Sequence, residues 1–200
     1  MQTEQHRTPA IGATNTTTAA TEKPGYYGMP VLKRPHWKWE IILYFWMGGI
    51  AVGAYVTAAI ADLFGDQEDD ILARTGRLIA LPLMVLSPIL LIKDLGRPEK
   101  FYNMLRVVKL RSPMSVGTWV LTTFGAFSGL SALLELFFYE PRWRWLRRLT
   151  AILGTPGAIA VGGYTGILLS ATAIPLWFKN RLMWGPVFLA SAFSTGTAAI

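Results

Sequence analysis

Ile41–Ala61 reads IILYFWMGGIAVGAYVTAAIA, 21 residues without a charged side chain. A helix crossing the hydrocarbon core of a bilayer needs about 20 mostly apolar residues, since each adds about 1.5 Å against a core about 30 Å thick. This stretch therefore reads as a membrane span. Four further charge-free runs follow, Leu78–Ile92, Ser112–Leu134, Leu149–Phe178 and Leu182–Ile200, of 15, 23, 30 and 19 residues. The second is short, at about 22 Å of helix rise. Its flanking Arg77 and Lys93 can lay their stems along the helix and keep their charges in the interface. The fourth is long, but Pro156 suits a first helical turn and Pro175 a last one, which predicts a span near residues 156–175. The expected fold is all-α: a polytopic transmembrane bundle with five spanning helices.

Composition agrees. Hydrophobic residues make up 52% of the 200 residues and charged residues only 16%, against roughly a quarter charged in soluble domains, and the mean hydropathy is +0.36. The sequence has no Cys, which excludes disulfide scaffolds, thiolate metal sites, iron–sulfur clusters held by this chain and Cys nucleophiles. Its two histidines, His6 and His36, lie upstream of the first apolar run, so haem held between two histidines of these spans is excluded too. The net charge of +7 is spread between the apolar runs rather than gathered in a patch. That is loop charge beside a membrane, not a nucleic-acid surface.

Residues 1–38 are rich in Thr, Ala, Pro and Gly and lack an apolar signal-peptide core. They read as a flexible polar tail ending in an interfacial aromatic and basic stretch that includes Trp37. Residues 39–200 read as the helix bundle. The last run reaches Ile200 with no polar flank, which predicts further helices in the functional protein. Lys and Arg concentrate in the loops on the side of the N-terminus, while Asp66, Glu68, Asp69 and Asp70 lie on the other, so the positive-inside rule places the N-terminus in the cytoplasm. Small-xxx-small pairs at Gly49/Gly53, Gly125/Gly129 and Gly162/Gly166 predict close helix contacts.

The polar residues within the spans are the candidates for chemistry, because a carboxylate at membrane depth is costly unless paired or hydrated. Glu40 opens the first span and Asp94 closes the second, both on the N-terminal side, and Tyr164 sits near mid-membrane in Gly-Gly-Tyr-Thr-Gly. Asp62 and Glu135 lie toward the opposite side and are candidates for a proton pathway. Structural readings stand beside these. Glu40 favours a helix N-terminus, Asp94 could cap a turn or pair with Arg97, and Tyr164 could hydrogen-bond a neighbouring helix. A carboxylate near the interface and a phenol deeper in the bundle suit a quinol, which must lose two protons and two electrons. A carboxylate can accept a proton, and a phenol can donate to a carbonyl. A second subunit would then take the electrons.

The segments WEIILYFWMGGIAVGAY (39–55), KDLGRPEK (93–100), SPMSVGTW (112–119) and GYTGILLSAT (163–172) together resemble the NrfD/PsrC family of polysulfide-reductase-like membrane subunits, with Asp-Leu-Gly-Arg-Pro the most specific piece. The resemblance implies a haem-free bundle of eight or more helices in the inner (cytoplasmic) membrane. Such a bundle oxidises or reduces a quinone, menaquinone or ubiquinone, and exchanges electrons with a four-cluster, ferredoxin-like iron–sulfur subunit, often joined to a molybdopterin catalytic subunit. It implies a quinone pocket at the face docking that subunit, with Glu40 at the position of a polar pocket residue, Tyr164 in the matching segment of the fourth span, and Asp94 and Arg97 in a loop on the same face. Glu40 is then the expected proton-transfer group and Tyr164 the expected partner of a quinone oxygen. In this family that face usually lies outside the cytoplasm, opposite to the charge count, so the resemblance fixes the docking face and leaves absolute orientation open. Two other readings are an ion- or proton-translocating transporter and a purely structural membrane anchor. The transporter would be expected to show interrupted helices in inverted repeats.

Overall fold

The computed structural model describes residues 38–171 and 174–200, apart from the side chain of Gln67. The described residues form helices and short turns. They are α1 (Trp39–Phe64), α2 (Asp70–Asp94), the short α3 (Tyr102–Arg106), α4 (Pro113–Phe137), α5 (Arg144–Ser170), the short α6 (Pro175–Lys179) and α7 (Arg181–Ala198). The polar tail lies outside the described residues up to position 37.

Each long helix starts or stops for a local reason. α1 ends where Gly65 turns extended, its N–H bonding Ala61 O at 2.8 Å. The tight connection that follows is held by the Asp66 N–H donating to Asp69 Oδ2 at 3.1 Å. α4 opens with Pro113 in its first turn, where the missing N–H costs nothing. Pro82 and Pro88 lie inside α2, a placement tolerated in membrane helices because neighbours satisfy the freed groups.

The long helices alternate in direction. The starts of α1, α4 and α7 and the ends of α2 and α5 therefore share one end of the bundle, called here the near end. α1 runs through the middle, packed against α2, α5 and α7, while α4 packs on α2 and α5. The core between them holds Val52, Tyr55, Met84, Leu121, Phe124 and Val161, with Tyr55 and Phe124 edge to face at 5.2 Å. Large apolar side chains such as Trp46, Ile60, Leu86, Leu133 and Ile152 point outward, as a lipid-facing surface requires.

Three expectations are corrected. Among the described residues four helices, not five, are long and apolar enough to cross a membrane. The fifth run does form α7, but it has 18 residues, begins at Arg181 and carries Gly185 and Pro186 within it, so its length and apolarity fall short of the other four. Pro156 does not open a helix. α5 starts at Arg144 and runs 27 residues through Pro156, with the Thr155 hydroxyl bonding Ala151 O at 2.7 Å beside it; Pro175 starts α6 instead of ending a span. Lys93 does keep its ammonium outside, at 60% exposure, but Arg77 turns inward and is 2% exposed.

The glycine pairs divide. Gly53 meets Ala192 and Gly196 of α7 backbone to backbone, and Gly166 lies against Trp184 and Gly185, so α7 is seated on α1 and α5 by missing side chains. On α4, a Cβ at Gly129 would meet nothing and one at Gly125 only the Met84 side chain at 3.7 Å. That pair makes no close helix contact.

Candidate functional site

At the near end, a cavity of about 310 Å³ opens between α1, α2, α4 and α5, at the small end of the roughly 300–1,000 Å³ range of ligand pockets. Its wall is mostly apolar, with Ile41, Phe45, Leu91 and Met114, and its polar groups are Tyr44, Asp94, Thr118 and Tyr164.

Tyr164 is fixed from two directions. A Cβ at Gly117 would collide with its ring, so the glycine provides the seat. Its hydroxyl donates to Pro113 O at 2.5 Å. With the proton so engaged, the phenol oxygen keeps acceptor capacity toward the cavity. Gly162 and Gly166, in the same Gly-Gly-Tyr-Thr-Gly stretch, make the close helix contact their spacing predicts, on α7 and not beside this ring.

Glu40 lies in the first turn of α1, where the helix dipole favours an anion. It does not itself line the cavity; its neighbour Ile41 and Tyr44, one turn on, do. Its carboxylate is 9% exposed, with Oε1 3.8 Å from Lys93 Nζ. The other oxygen, Oε2, is enclosed without a hydrogen-bond partner among the described residues. Lys93 also stacks over Trp39, 4.9 Å from the ring centroid, so it stands between the buried carboxylate and the surface. Asp94, half-buried, lines the cavity, whereas Arg97 is exposed in the following turn and is not brought into it. Among the described residues no ion pair joins the two.

Tyr44 is the residue that sequence reasoning missed. It is buried and lines the cavity together with Tyr164. Its spacing of one helical turn from Glu40 was the available signal, hidden among the aromatics of Tyr44–Trp46.

At the far end the structure gathers Asp62 and Glu135 on Arg77. Its guanidinium reaches Asp62 Oδ2 at 2.6 Å and Glu135 Oε2 at 2.7 Å. Arg147 approaches Glu135 Oε1 at 3.6 Å, so two carboxylates and two guanidiniums balance in charge. All four side chains are buried. The core residues Leu121 and Phe124 of α4 lie between this cluster and the near-end cavity.

Comparison with known proteins adds the following. The family model described as polysulphide reductase, NrfD, matches residues 32–200. A polysulfide reductase chain of Wolinella succinogenes is 31% identical over 183 residues, 80% of this chain and 55% of that protein. Protein NrfD of Escherichia coli is 28% identical over 184 residues, 81% of this chain and 57% of that protein. A putative dimethyl sulfoxide reductase membrane subunit of Halobacterium salinarum is 25% identical over 179 residues, 80% of this chain and 41% of that protein. The chain spans about half the length of these relatives.

Proposed function

Because the chain belongs to the polysulphide reductase NrfD family, we propose that it is a quinone-reacting part of the membrane subunit of a respiratory oxidoreductase in the inner (cytoplasmic) membrane. Its electrons pass to or from a four-cluster iron–sulfur subunit, itself joined to a molybdopterin catalytic subunit. The observation that carries this reading is the near-end cavity, where Tyr164, Tyr44 and Asp94 converge beside the enclosed carboxylate of Glu40.

The ring of a quinol fits between apolar walls, and each of its oxygens needs a polar partner. One hydroxyl donates to the Tyr164 oxygen, whose own O–H stays hydrogen-bonded to Pro113 O. Glu40, with a free carboxylate oxygen beside the cavity, takes up the two protons in turn and passes each to the aqueous surface, while the two electrons go to the iron–sulfur subunit and the quinol becomes the quinone; in the reducing direction two protons return by the same route. Lys93, half outside, links Glu40 to the aqueous surface. Asp94 holds polarity at the cavity mouth, and Arg97, outside the cavity, shapes the loop beneath it.

The electrons leave through the near face. The segment from Lys93 to Arg111 exposes Lys93, Arg97, Lys100, Arg106, Lys109 and Arg111, a basic surface suited to a partner of opposite charge. Asp62 and Glu135 we assign to a structural lock rather than to a proton path, because both carboxylates are engaged by the Arg77 guanidinium, which does not give up its proton.

The test is quinol oxidation by the intact complex with an artificial acceptor, alongside a blot for assembly. Glu40→Gln should lower turnover by about 10² to 10⁴. Tyr164→Phe should weaken quinol binding by roughly 1–3 kcal/mol, the cost of an unpaired buried polar group. Wild-type kinetics in both assembled variants would refute the site.

A further inference from the structure

A cleft of about 520 Å³ opens at the far end, where the start of α2, the end of α4 and the start of α5 meet. Asp70, Leu136, Phe137, Tyr139, Arg144 and Arg147 line it. Arg74 joins them from α2: its guanidinium carbon lies 5.0 Å from the centroid of the Tyr139 ring, and that of Arg147 lies 4.9 Å away. Two helices thus bring three arginines to one cleft.

These arginines have donors to spare. A guanidinium carries five N–H donors. Among the described residues Arg147 gives one to Tyr139 O at 3.3 Å, and Arg144 gives none at hydrogen-bond length. Asp70 Oδ1 stands 3.7 Å from Arg144 Nη2, and Glu135 Oε1 stands 3.6 Å from Arg147 Nη1. The Nε–H groups of both arginines are enclosed without a partner among the described residues. Arg147 is only 5% exposed, so water does not satisfy it from outside. Buried donors left unpaired are costly, and an anion with several oxygens satisfies more than one of them at once.

Charge sets the size of that anion. Arg147 and Glu135 belong to the balanced group around Arg77. The other charges about the cleft are Arg74, Arg142 and Arg144 against Asp70 and Glu140, with Glu140 accepting from Arg142 Nε at 2.7 Å. One positive charge is in excess, which a single phosphodiester neutralises. The acidic residues of the α1–α2 connection do not line the cleft. Its level in the bilayer selects the source. The cleft sits where one span ends and the next begins, with Tyr139 and Trp145 exposed beside it, as aromatic residues are at a membrane interface. Along α4 and α5 below it, Leu133, Leu136, Leu149 and Ile152 face outward.

We propose that this cleft binds the phosphodiester of an anionic phospholipid, with its oxygens on Arg144 and Arg147, Arg74 adding charge, and its acyl chains along the apolar flank of α4 and α5. A basic pocket between spanning helices at headgroup level suits such a lipid. The site lies at the opposite end from the quinol cavity and is independent of the quinone reading.

The experiment uses the intact complex in nanodiscs of phosphatidylcholine containing phosphatidylglycerol with a photoreactive headgroup. Illumination should label residues 136–147, located by peptide mass spectrometry. Unlabelled phosphatidylglycerol should compete, whereas added inorganic phosphate should not. Arg74→Gln and Arg144→Gln should each lower the labelling about fivefold, the effect of one basic residue near a membrane surface. Lys179→Gln removes the same charge at the near end and should leave the labelling unchanged. A second readout needs no probe: phosphatidylglycerol should raise the Tm of the wild-type complex more than that of Arg144→Gln, because only a bound ligand stabilises the fold it binds. Absence of adducts within residues 136–147 overturns the site, as do labelling and Tm shifts that match wild type in both arginine variants. Suppression by inorganic phosphate would mean a free anion and overturns the lipid. An equal loss in Lys179→Gln would reduce the effect to net charge and overturns the site as well.

Discussion

Two tyrosines in this bundle use the same device with different consequences. Tyr55 lies against Gly154, and its hydroxyl bonds Thr150 O at 2.8 Å. Tyr164 lies against Gly117, and its hydroxyl bonds Pro113 O. In each case a glycine seats the ring, and the carbonyl four residues before that glycine on its helix accepts the hydroxyl's hydrogen bond. Tyr55 is walled in by the core and serves packing. Tyr164 opens on the cavity, so the same fixation there holds a phenol oxygen in place for a ligand. It follows that Gly117→Ala, which puts a methyl group into the Tyr164 ring, should displace the phenol without touching any other cavity group. We expect the complex to assemble and quinol affinity to fall by about as much as in Tyr164→Phe, roughly 1–3 kcal/mol. Quinol titration of the assembled variant measures this, and native affinity would mean that the position of the ring is immaterial.

At the scale of helices, α7 is held by contacts that a hydrophobicity plot does not register. It is shorter and less apolar than the other long helices, yet it packs along both α1 and α5. The reason is backbone proximity: Gly53 against Ala192 and Gly196, and Gly166 against Trp184 and Gly185. In lipid, where no hydrophobic force drives helices together, such contacts contribute through dispersion and shape. Gly53→Val should therefore force α7 away from α1 and reduce assembled complex, whereas Gly129→Val, with nothing near its Cβ, should leave it at wild-type amounts. Blue native gels of membranes expressing each variant compare the two. Equal loss from both would show that glycine acts here through helix flexibility and not through contact.

Across the described residues, charge is organised at two ends with an apolar core between. The near end keeps its basic residues outside and one carboxylate enclosed. The far end buries two carboxylates on Arg77, with Arg147 alongside, and so ties α1, α2, α4 and α5 into one unit. Breaking such a group by removing one partner typically costs about 3–5 kcal/mol, because the remaining charge stays buried. Arg77→Met should accordingly lower the thermal stability and yield of the complex. Arg77→Lys should recover only part, since an ammonium cannot reach both carboxylates with a planar fork. Thermal melts in detergent, read with quinol turnover per assembled complex, separate this lock from a proton path. A structural lock changes stability and leaves the turnover of the surviving complex intact. Reduced turnover at native stability would return Asp62 and Glu135 to the proton-carrying role.

The amino-acid sequence alone determined the membrane class, the approximate extent of the first three spans, the family, and that Glu40 and Asp94 belong to one end. Each of these follows from local properties: charge-free length, loop parity and contiguous motifs. Which way a side chain turns does not. Arg77 reads as an interfacial cation because its own neighbours along the chain are apolar, and only the approach of Asp62 and Glu135 from other helices makes an inward rotamer favourable. The glycines beside Tyr164 read as a close helix contact with an unnamed partner, which the structure shows to be α7; the glycine that seats the ring is Gly117, 47 positions earlier. Pro156 reads as a start because proline removes a helix bond, yet α5 continues through it against α1, α4 and α7. Tertiary packing decided these points, because in lipid the energy of a polar or small residue is set by what faces it across the helix interface rather than by its place in the chain.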